Sequence, residues 1–486
     1  MTTHMPDDSA FKKQLAVRNS RSARWQMFFL AATSAGIVML AILLMSILNQ
    51  VFGLVAVYQL ADPNTLVNGN PVVAASAPDL ANVLKDNLTK GKMQALLLNT
   101  VIGKDVDRAL LSGGAITQIP TLKVVPADLT TKGFTELTPD DLSALLAANL
   151  TSTQLEAIVL EQIVKQEVLQ SWNFIDSVFN RGAVEQTVQD RIAGVGLSPT
   201  LSADQQKEAK DQWQNATIEW RSWLNIDLLE KSMSATATDA GVRGALVGSI
   251  WVLTLTMGIA APLGIGAAIY LEEYARDSNY RSKWIQRFNT VIEINIRNLA
   301  GVPSIIYGLL GLAIFARALG FFTSGQVFTG EEATGRTILT ASLTLALVIL
   351  PVIIINAQEA IRAVPKSIRE ASYGLGATKW QTVSQQVIPA ALPGILTGII
   401  LSLSRAVGET APLIVVGAAV FLSQDPSGPF SAFTTLPIQI FNWAALPSDQ
   451  FRNLSSAAII ILLIMLLALN AIAIVVRQRY SRRLQG

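Results

Sequence analysis

The chain has no cysteine and a single histidine, His4. The first absence excludes a disulfide framework, thiolate chemistry and a cysteine-ligated metal. The second removes histidine metal sites and any Ser-His-Asp triad. No GxxxxGK[ST] phosphate loop is present, so if ATP drives this protein it is hydrolysed on another chain. Charge is scarce as well. It makes up 15% of the 486 residues, against about 25% in an average soluble domain, while 51% are hydrophobic. The net charge of +2 says little, because its distribution matters more.

No charged residue falls between Arg24 and Asp62, Arg243 and Glu272, Arg336 and Glu359, or Arg452 and Arg477. Each gap is long enough for a spanning helix of about 20 residues. A fifth span follows Arg297 in "NLAGVPSIIYGLLGLAIFARALGFF", and a sixth runs from Leu392 to Phe421. The expectation is therefore an all-α integral membrane protein with six transmembrane helices, near 27–49, 245–270, 298–321, 337–358, 392–421 and 454–476. The first span is too long for a signal-peptide core and no small-residue cleavage site follows it, so it reads as a retained helix. Lysine and arginine before span one and after span six place both termini in the cytoplasm, together with the basic loops 271–297 and 359–390.

The stretch 59–238 is polar, with 21 acidic against 14 basic residues, and by parity lies outside the membrane. Helix-start signals recur in it: "SAPD" at Ser76, "TPDD" at Thr138, "TQLE" at Thr153 and "SADQ" at Ser202. Leu155, Ile158, Val159, Ile163, Val164 and Val168 form a helical apolar stripe. The insert is expected to be mostly helical. Its Trp213, Trp220 and Trp223 read as core or interface anchors. The domain reading is 1–26 cytoplasmic tail, 27–58 transmembrane helix 1, 59–238 extracytoplasmic insert, 239–480 five further helices, and 481–486 cytoplasmic tail.

Polar residues inside the spans are the functional candidates. In "SLSRAVGETAP" Arg405 and Glu409 stand one helical turn apart. Each costs about 2.5–3.5 kcal/mol at bilayer depth on insertion scales. The five-donor fork of Arg405 suits an oxyanion. Glu409 repels one, and reads as an orienting partner or a brake on over-tight binding. Thr410 adds a hydroxyl, and Pro412 predicts a kink. "RNLAGVPSIIYG" breaks regularity at Gly301, Pro303 and Ser304, where irregular backbone packs on a neighbour or lines a path. "SKWIQRFNTVIEINI" predicts an amphipathic helix on the inner surface, with Trp284, Phe288, Val291 and Ile292 on one face.

The loop "QEAIRAVPKSIREASYGLGATKWQTVSQQVIPAALPG" predicts two short helices, begun at Pro365 and broken around Gly374 and Gly376. It resembles the coupling motif EAA-x3-G-x9-I-x-L-P of ABC importer permeases. Glu370, Ala371, Gly376 and Pro389 match in register; Ser372, Gln386 and Ile388 depart from it. "YLEEYARD" at Tyr270–Asp277, "LAGVPSIIYGLLGLA", "LPGILTGIILSLSRAVGETAPL" and "LPIQIFNW" narrow the resemblance to phosphate permeases of the PstA type. It covers residues 240–480 closely, span one loosely and the insert not at all.

The resemblance implies a MetI-like permease fold, no catalytic residue and no metal, cofactor or nucleic acid bound by this chain. It implies a prokaryotic plasma (inner) membrane and four kinds of partner chemistry. These are a sister permease (PstC type), a cytoplasmic ATPase dimer (PstB type) using ATP and Mg, an extracytoplasmic phosphate-binding protein (PstS type) and the lipid bilayer. It makes Glu370, Ala371, Ser372, Gly376 and Pro389 coupling residues, and Arg405, Glu409, Thr410 and Ser304 candidates for the phosphate path. A permease for another oxyanion such as molybdate or sulfate, and a phosphate-sensing receptor acting through the insert, are the competing readings. A membrane hydrolase lacks a nucleophile–base pair or paired carboxylates in the spans.

Overall fold

A computed structural model describes residues 8–67, 71–102, 116–119, 121–198, 202–275, 283–329, 335–419, 421–422 and 425–485. His4, Arg276 and Asp277 lie outside the described residues. The chain divides into two compact units, one holding residues 1–53, 173–175 and 222–486, the other residues 54–172 and 176–221.

The first unit begins with α1, Asp8–Val51. The helix ends at Val51 although the apolar run continues, and the next residues, Phe52–Gln59, form strand β1. The expected helix through residue 58 is therefore shorter at this end: "FGLVAVYQ" is rich in β-branched and aromatic residues and pairs in a sheet.

In the second unit β1 is the central strand of three, between β2 (Gln166–Ser171) and β3 (Thr217–Ser222). β1 and β2 are antiparallel, with Val57 opposite Val168 and a bulge between Ala56 and Val57. The helical stripe read through Val168 is thus corrected. The helix stops before Lys165, whose φ of 29° turns the chain, and Val168 packs as a strand residue. Tertiary pairing overrides the local period here.

The rest of this unit is helical, as expected. Its helices include α2 (Ala77–Asn87), α3 (Lys90–Leu97), α4 (Pro139–Asn149), α5 (Ser152–Val159), α6 (Arg181–Ala193) and α7 (Ala203–Gln214). Leu80, Leu84, Met93, Leu97, Leu142 and Leu155 belong to one core built on α2–α5. Thr138 and Ser202 close capping boxes with Asp141 and Gln205. The cap read at Thr153 moves to Thr151, whose hydroxyl accepts from the Gln154 N–H. Ser76 stands at the N-cap of α2, but its side chain does not cap the helix N–H groups. Trp213 on α7 is buried with Val188 of α6, and Trp220 on β3 is exposed.

The first unit resumes with α8 (Arg243–Ile269), which ends in one wider helical turn at Tyr270–Tyr274. Then come the amphipathic α9 (Lys283–Ala300), α10 (Ser304–Gly311, continued in wider turns to Ala318), α11 (Ile338–Arg362), α12 (Lys366–Gly374), α13 (Lys379–Thr382), α14 (Ile388–Gly408), α15 (Ala411–Val416), α16 (Leu436–Ala444) and α17 (Asp449–Gln485). Trp223, on the same unit, is buried.

Among the described residues five helices are long and apolar enough to cross a membrane: Leu15–Val51, Arg243–Tyr274, Ile338–Arg362, Lys379–Gly408 and Asp449–Tyr480. A sixth span arises only if α9 and α10, bent by 106°, are counted together. The bend falls at Gly301–Pro303, where the sequence loses regularity. Within the stretch read as a span at 298–321 the helix restarts at Ser304 and, running to Ala318, is too short to cross a membrane by itself; the three residues before the break end the amphipathic helix. The chain is a multi-spanning helical membrane protein.

α8 and α11 form the packed centre. The Ser342 hydroxyl donates to the Val252 carbonyl at 3.2 Å, and the Thr256 hydroxyl donates to the Ser342 carbonyl at 3.3 Å. In an apolar slab such hydroxyl–carbonyl bonds and small-residue contacts hold helices together.

Candidate functional site

Two places bring the sequence-predicted residues together: an elbow between α11 and α14, and a break after α14.

The elbow is built by α12 and α13. Pro365 precedes the first helical residue of α12, where its missing N–H costs nothing. The turn after Gly374 is made by Gly376, whose φ of +80° lies in the left-handed region. Thr378 then restarts the chain as a helix, with its hydroxyl accepting from the Gln381 N–H and Gln381 returning to the Thr378 N–H at 2.8 Å. The Ser372 hydroxyl meets the Thr382 hydroxyl at 2.9 Å and ties the two short helices together. Serine at this position, where the motif has alanine, therefore makes a bond that alanine lacks.

Glu370 and Ala371 are exposed on this elbow. Its tip carries Leu375, 90% exposed, and Trp380, 61% exposed, with Tyr373 beside them. Exposed apolar residues flanked by charge mark a protein-docking surface. Pro389 lies at the start of α14, partly buried, and is not part of the tip.

The elbow's base holds residues that the sequence reading missed as functional. Arg362 makes a two-bond fork to Glu272, Nε at 3.1 Å and a terminal nitrogen at 3.0 Å. Arg369 donates to Glu273 at 2.6 and 3.1 Å, and to the carbonyls of Val364 at 2.8 Å and Ile361 at 3.0 Å. Lys379 Nζ sits 4.9 Å from the centroid of the Tyr274 ring. The cleft between these groups measures about 360 Å³. The quoted "YLEEYARD" was the only sequence signal for it, and pairings over 90 and 96 residues leave no local period to read.

At the second place α14 stops at Gly408, and Glu409 is extended, with φ −77° and ψ 107°. Arg405 Nε lies 3.1 Å from Glu409 Oε1, with the side chains 42% and 16% exposed. The Thr410 hydroxyl turns back to the Gly408 carbonyl at 3.3 Å. Pro412 lies in the first turn of α15 rather than kinking one continuous helix, so the expected single span at 392–421 is broken before it, at Glu409 and Thr410. The cation at Arg405 stands in the last turn of α14, where the helix dipole favours it.

Neighbours fix the level of this break. Ala406 and Val407 line a small cavity with Ser249, Val252 and Leu253 of α8 and Leu345 of α11. Those positions are six to ten residues from the first residue of α8 or α11, about 9–15 Å along the helix axes. The break is thus inside the helical slab, not at its rim. A Cβ on Gly308 of α10 would stand 2.7 Å from Pro412 Cα, so glycine is what lets α10 and α15 meet. Ser304, one turn earlier on α10, is partly buried. Ser304 therefore belongs to the helix that covers the break, while Arg405, Glu409 and Thr410 form the break itself.

"LPIQIFNW" folds as α16, and the Leu436 N–H at its start donates to the Ser249 hydroxyl at 2.9 Å. Among the described residues no group of three or more His, Cys, Asp and Glu side chains is arranged to hold a metal ion.

Residues 260–486 match the family model described as binding-protein-dependent transport system inner membrane component. Over 241 residues the chain is 33% identical to the probable ABC transporter permease protein YqgI of Bacillus subtilis, covering 49% of this chain and 74% of that protein. It is 34% identical over 244 residues to the probable ABC transporter permease protein YqgH of the same organism, covering 50% of this chain and 72% of that protein. It is 34% identical over 245 residues to the phosphate transport system permease protein PstA 1 of Mycobacterium tuberculosis, covering 50% of this chain and 72% of that protein in the CDC 1551 strain.

Proposed function

This chain belongs to the family of binding-protein-dependent transport system inner membrane components, and we propose from that premise that its cargo is inorganic phosphate. As a family member it is the permease part of an ABC importer and works with a separate ATPase. It has no catalytic role of its own.

The observation that carries the phosphate reading is Arg405. A guanidinium fork, partly exposed at a helix break inside the slab and held by a single carboxylate bond among the described residues, suits the oxygens of a tetrahedral anion. Similarity to permeases named for phosphate transport supports the same cargo. Glu409 offsets part of the positive charge, so the ion is admitted without being trapped. Thr410, beside Glu409, and Ser304, on the helix that packs against the break, are the further polar groups assigned to the path.

In this reading the elbow faces the cytoplasm. Glu370, Ala371, Ser372 and Gly376 form its docking element for a PstB-type ATPase dimer, and Pro389 starts the span that follows. A PstC-type sister permease completes the path along the exposed Arg405 side, and a PstS-type binding protein delivers phosphate from outside. Both termini are then cytoplasmic in a prokaryotic plasma membrane. Residues 59–238 form an extracytoplasmic insert, and 239–480 carry the remaining spans.

ATP-dependent uptake by the complete complex in vesicles tests the cargo. Competition by arsenate but not by sulfate or molybdate supports phosphate. Competition by sulfate or molybdate assigns a different oxyanion.

A further inference from the structure

We propose that Glu272, Glu273 and Tyr274 form a grip through which α8 moves with the elbow. This rests on the reading that the elbow docks an ATPase, and adds how that docking reaches the path.

Three consecutive residues at the end of α8 hold three separate elements. Glu272 takes the fork of Arg362, the last residue of α11. Glu273 takes Arg369 in the middle of α12. Tyr274 faces Lys379, the first residue of α13. Both carboxylates are nearly buried, Glu272 at 5% and Glu273 at 8% side-chain exposure. A buried carboxylate without its cation is strongly unfavourable, so these contacts do not slip independently.

Arg369 is the most constrained of the three cations. Its side chain is 17% exposed and spends its donors on one carboxylate and two carbonyls. It directly precedes Glu370, which is exposed on the same helix. One turn of α12 therefore turns an anchored cation inward and the docking carboxylate outward. A force on the exposed face is delivered to α8 through Glu273. The other end of α8 contributes Ser249, Val252 and Leu253 to the cavity beside Ala406 and Val407, next to Arg405. α8 is thus one continuous helix in contact with the elbow at one end and with the break in α14 at the other. Arg369 and Glu273 are positioning residues, acting on the path through α8.

The test uses the complete complex in proteoliposomes and reads two quantities together, ATP hydrolysed and phosphate taken up. Arg369→Met and Glu273→Gln are expected to keep the ATPase subunit bound and hydrolysing. Uptake per ATP should fall by about tenfold. Arg369→Lys keeps the charge but loses the fork, and should fall between parent and Arg369→Met. If Arg369→Met fails to accumulate in membranes, Lys379→Gln carries the same measurement at the more accessible edge of the grip. A ratio within about twofold of the parent in these variants overturns the proposal. So does loss of the ATPase from Arg369→Met, because the residue would then serve docking alone. Glu370→Lys is the control for the underlying reading. If it retains the ATPase, the elbow is not the docking site and that reading fails separately from the grip.

Discussion

Arg405 and Glu409 are joined at 3.1 Å across the point where α14 ends, so the pair spans a break in the helix rather than one face of it. Arg405 is the last-turn residue with the greater exposure, and Glu409 is the partly sheltered partner. A structural ion pair inside the slab offsets its desolvation cost only when both charges are fully bonded. Here the cation is the more exposed of the two, and in the proposed path a passing anion or a second permease subunit would meet it there.

That asymmetry gives Glu409 a defined effect. Glu409→Gln keeps the shape and removes the negative charge, so Arg405 holds an anion more tightly. KM for phosphate is expected to fall together with kcat, each by about three- to tenfold. Initial uptake rates over a range of phosphate concentrations check this. A raised KM with unchanged kcat would mean that Glu409 merely orients Arg405.

The elbow proposed to dock the ATPase combines an exposed charge, Glu370, with exposed apolar area at Leu375 and Trp380. Glu370→Lys and Leu375→Asp are both expected to reduce co-purification of the ATPase by about tenfold or more, in line with loss of a central interface contact. The readout is the ATPase-to-permease ratio after affinity purification in detergent. Equal ratios for parent and both variants would place docking elsewhere.

Gly376 isolates the backbone requirement of the same elbow. Its φ is +80°, and no atom beyond its own chain neighbours lies within 4 Å of where a Cβ would stand. A side chain there meets no clash, only the left-handed penalty of roughly 1–2 kcal/mol for most residues. Gly376→Val should weaken ATPase association clearly and Gly376→Asn only slightly, since asparagine tolerates this region. Equal losses in the two variants would point to crowding by the partner instead of backbone strain.

The contrast between these sites explains what could be read in advance. Charge-free gaps located the long helices because each span is a contiguous run. Pro365, Gly374 and Gly376 located the elbow because turn chemistry is local. Val168 was misread because its helical spacing was overridden by pairing with Val57. The break at Glu409 was placed too late, since Pro412 signals a helix start as well as a kink and only the surrounding packing decides which. The grip at Glu272–Tyr274 joins residues far apart in sequence, and no spacing rule reaches that distance.

The insert offers a pH-dependent test of its own fold. Asp141 accepts from Lys132 Nζ at 2.9 and 3.0 Å and from the Thr138 N–H at 2.8 Å. Burial alone would raise its pKa, but Lys132 and Thr138 outweigh burial, and the carboxyl titrates below its usual 3.8. A carboxylate depressed by folding stabilises the folded form above its unfolded pKa. That contribution is lost as the pH falls through the folded pKa. Asp141→Asn should therefore lower the melting temperature near neutral pH. The gap to the parent should close as the pH drops below about 4. Thermal melts of both proteins across that range check it. A gap that persists unchanged in acid would assign the loss to the capping geometry alone, which is worth about 0.5–2 kcal/mol.

Arg405 carries the proposed phosphate path. The decisive measurement is ATP-driven phosphate uptake by the assembled complex carrying Arg405→Gln, with assembly confirmed by co-purification of the ATPase. The account predicts an intact complex with uptake reduced at least about a hundredfold, as when a charge-assisted contact to the transported ion is removed. Uptake at the parent rate in an intact complex would contradict it and remove Arg405 from the path.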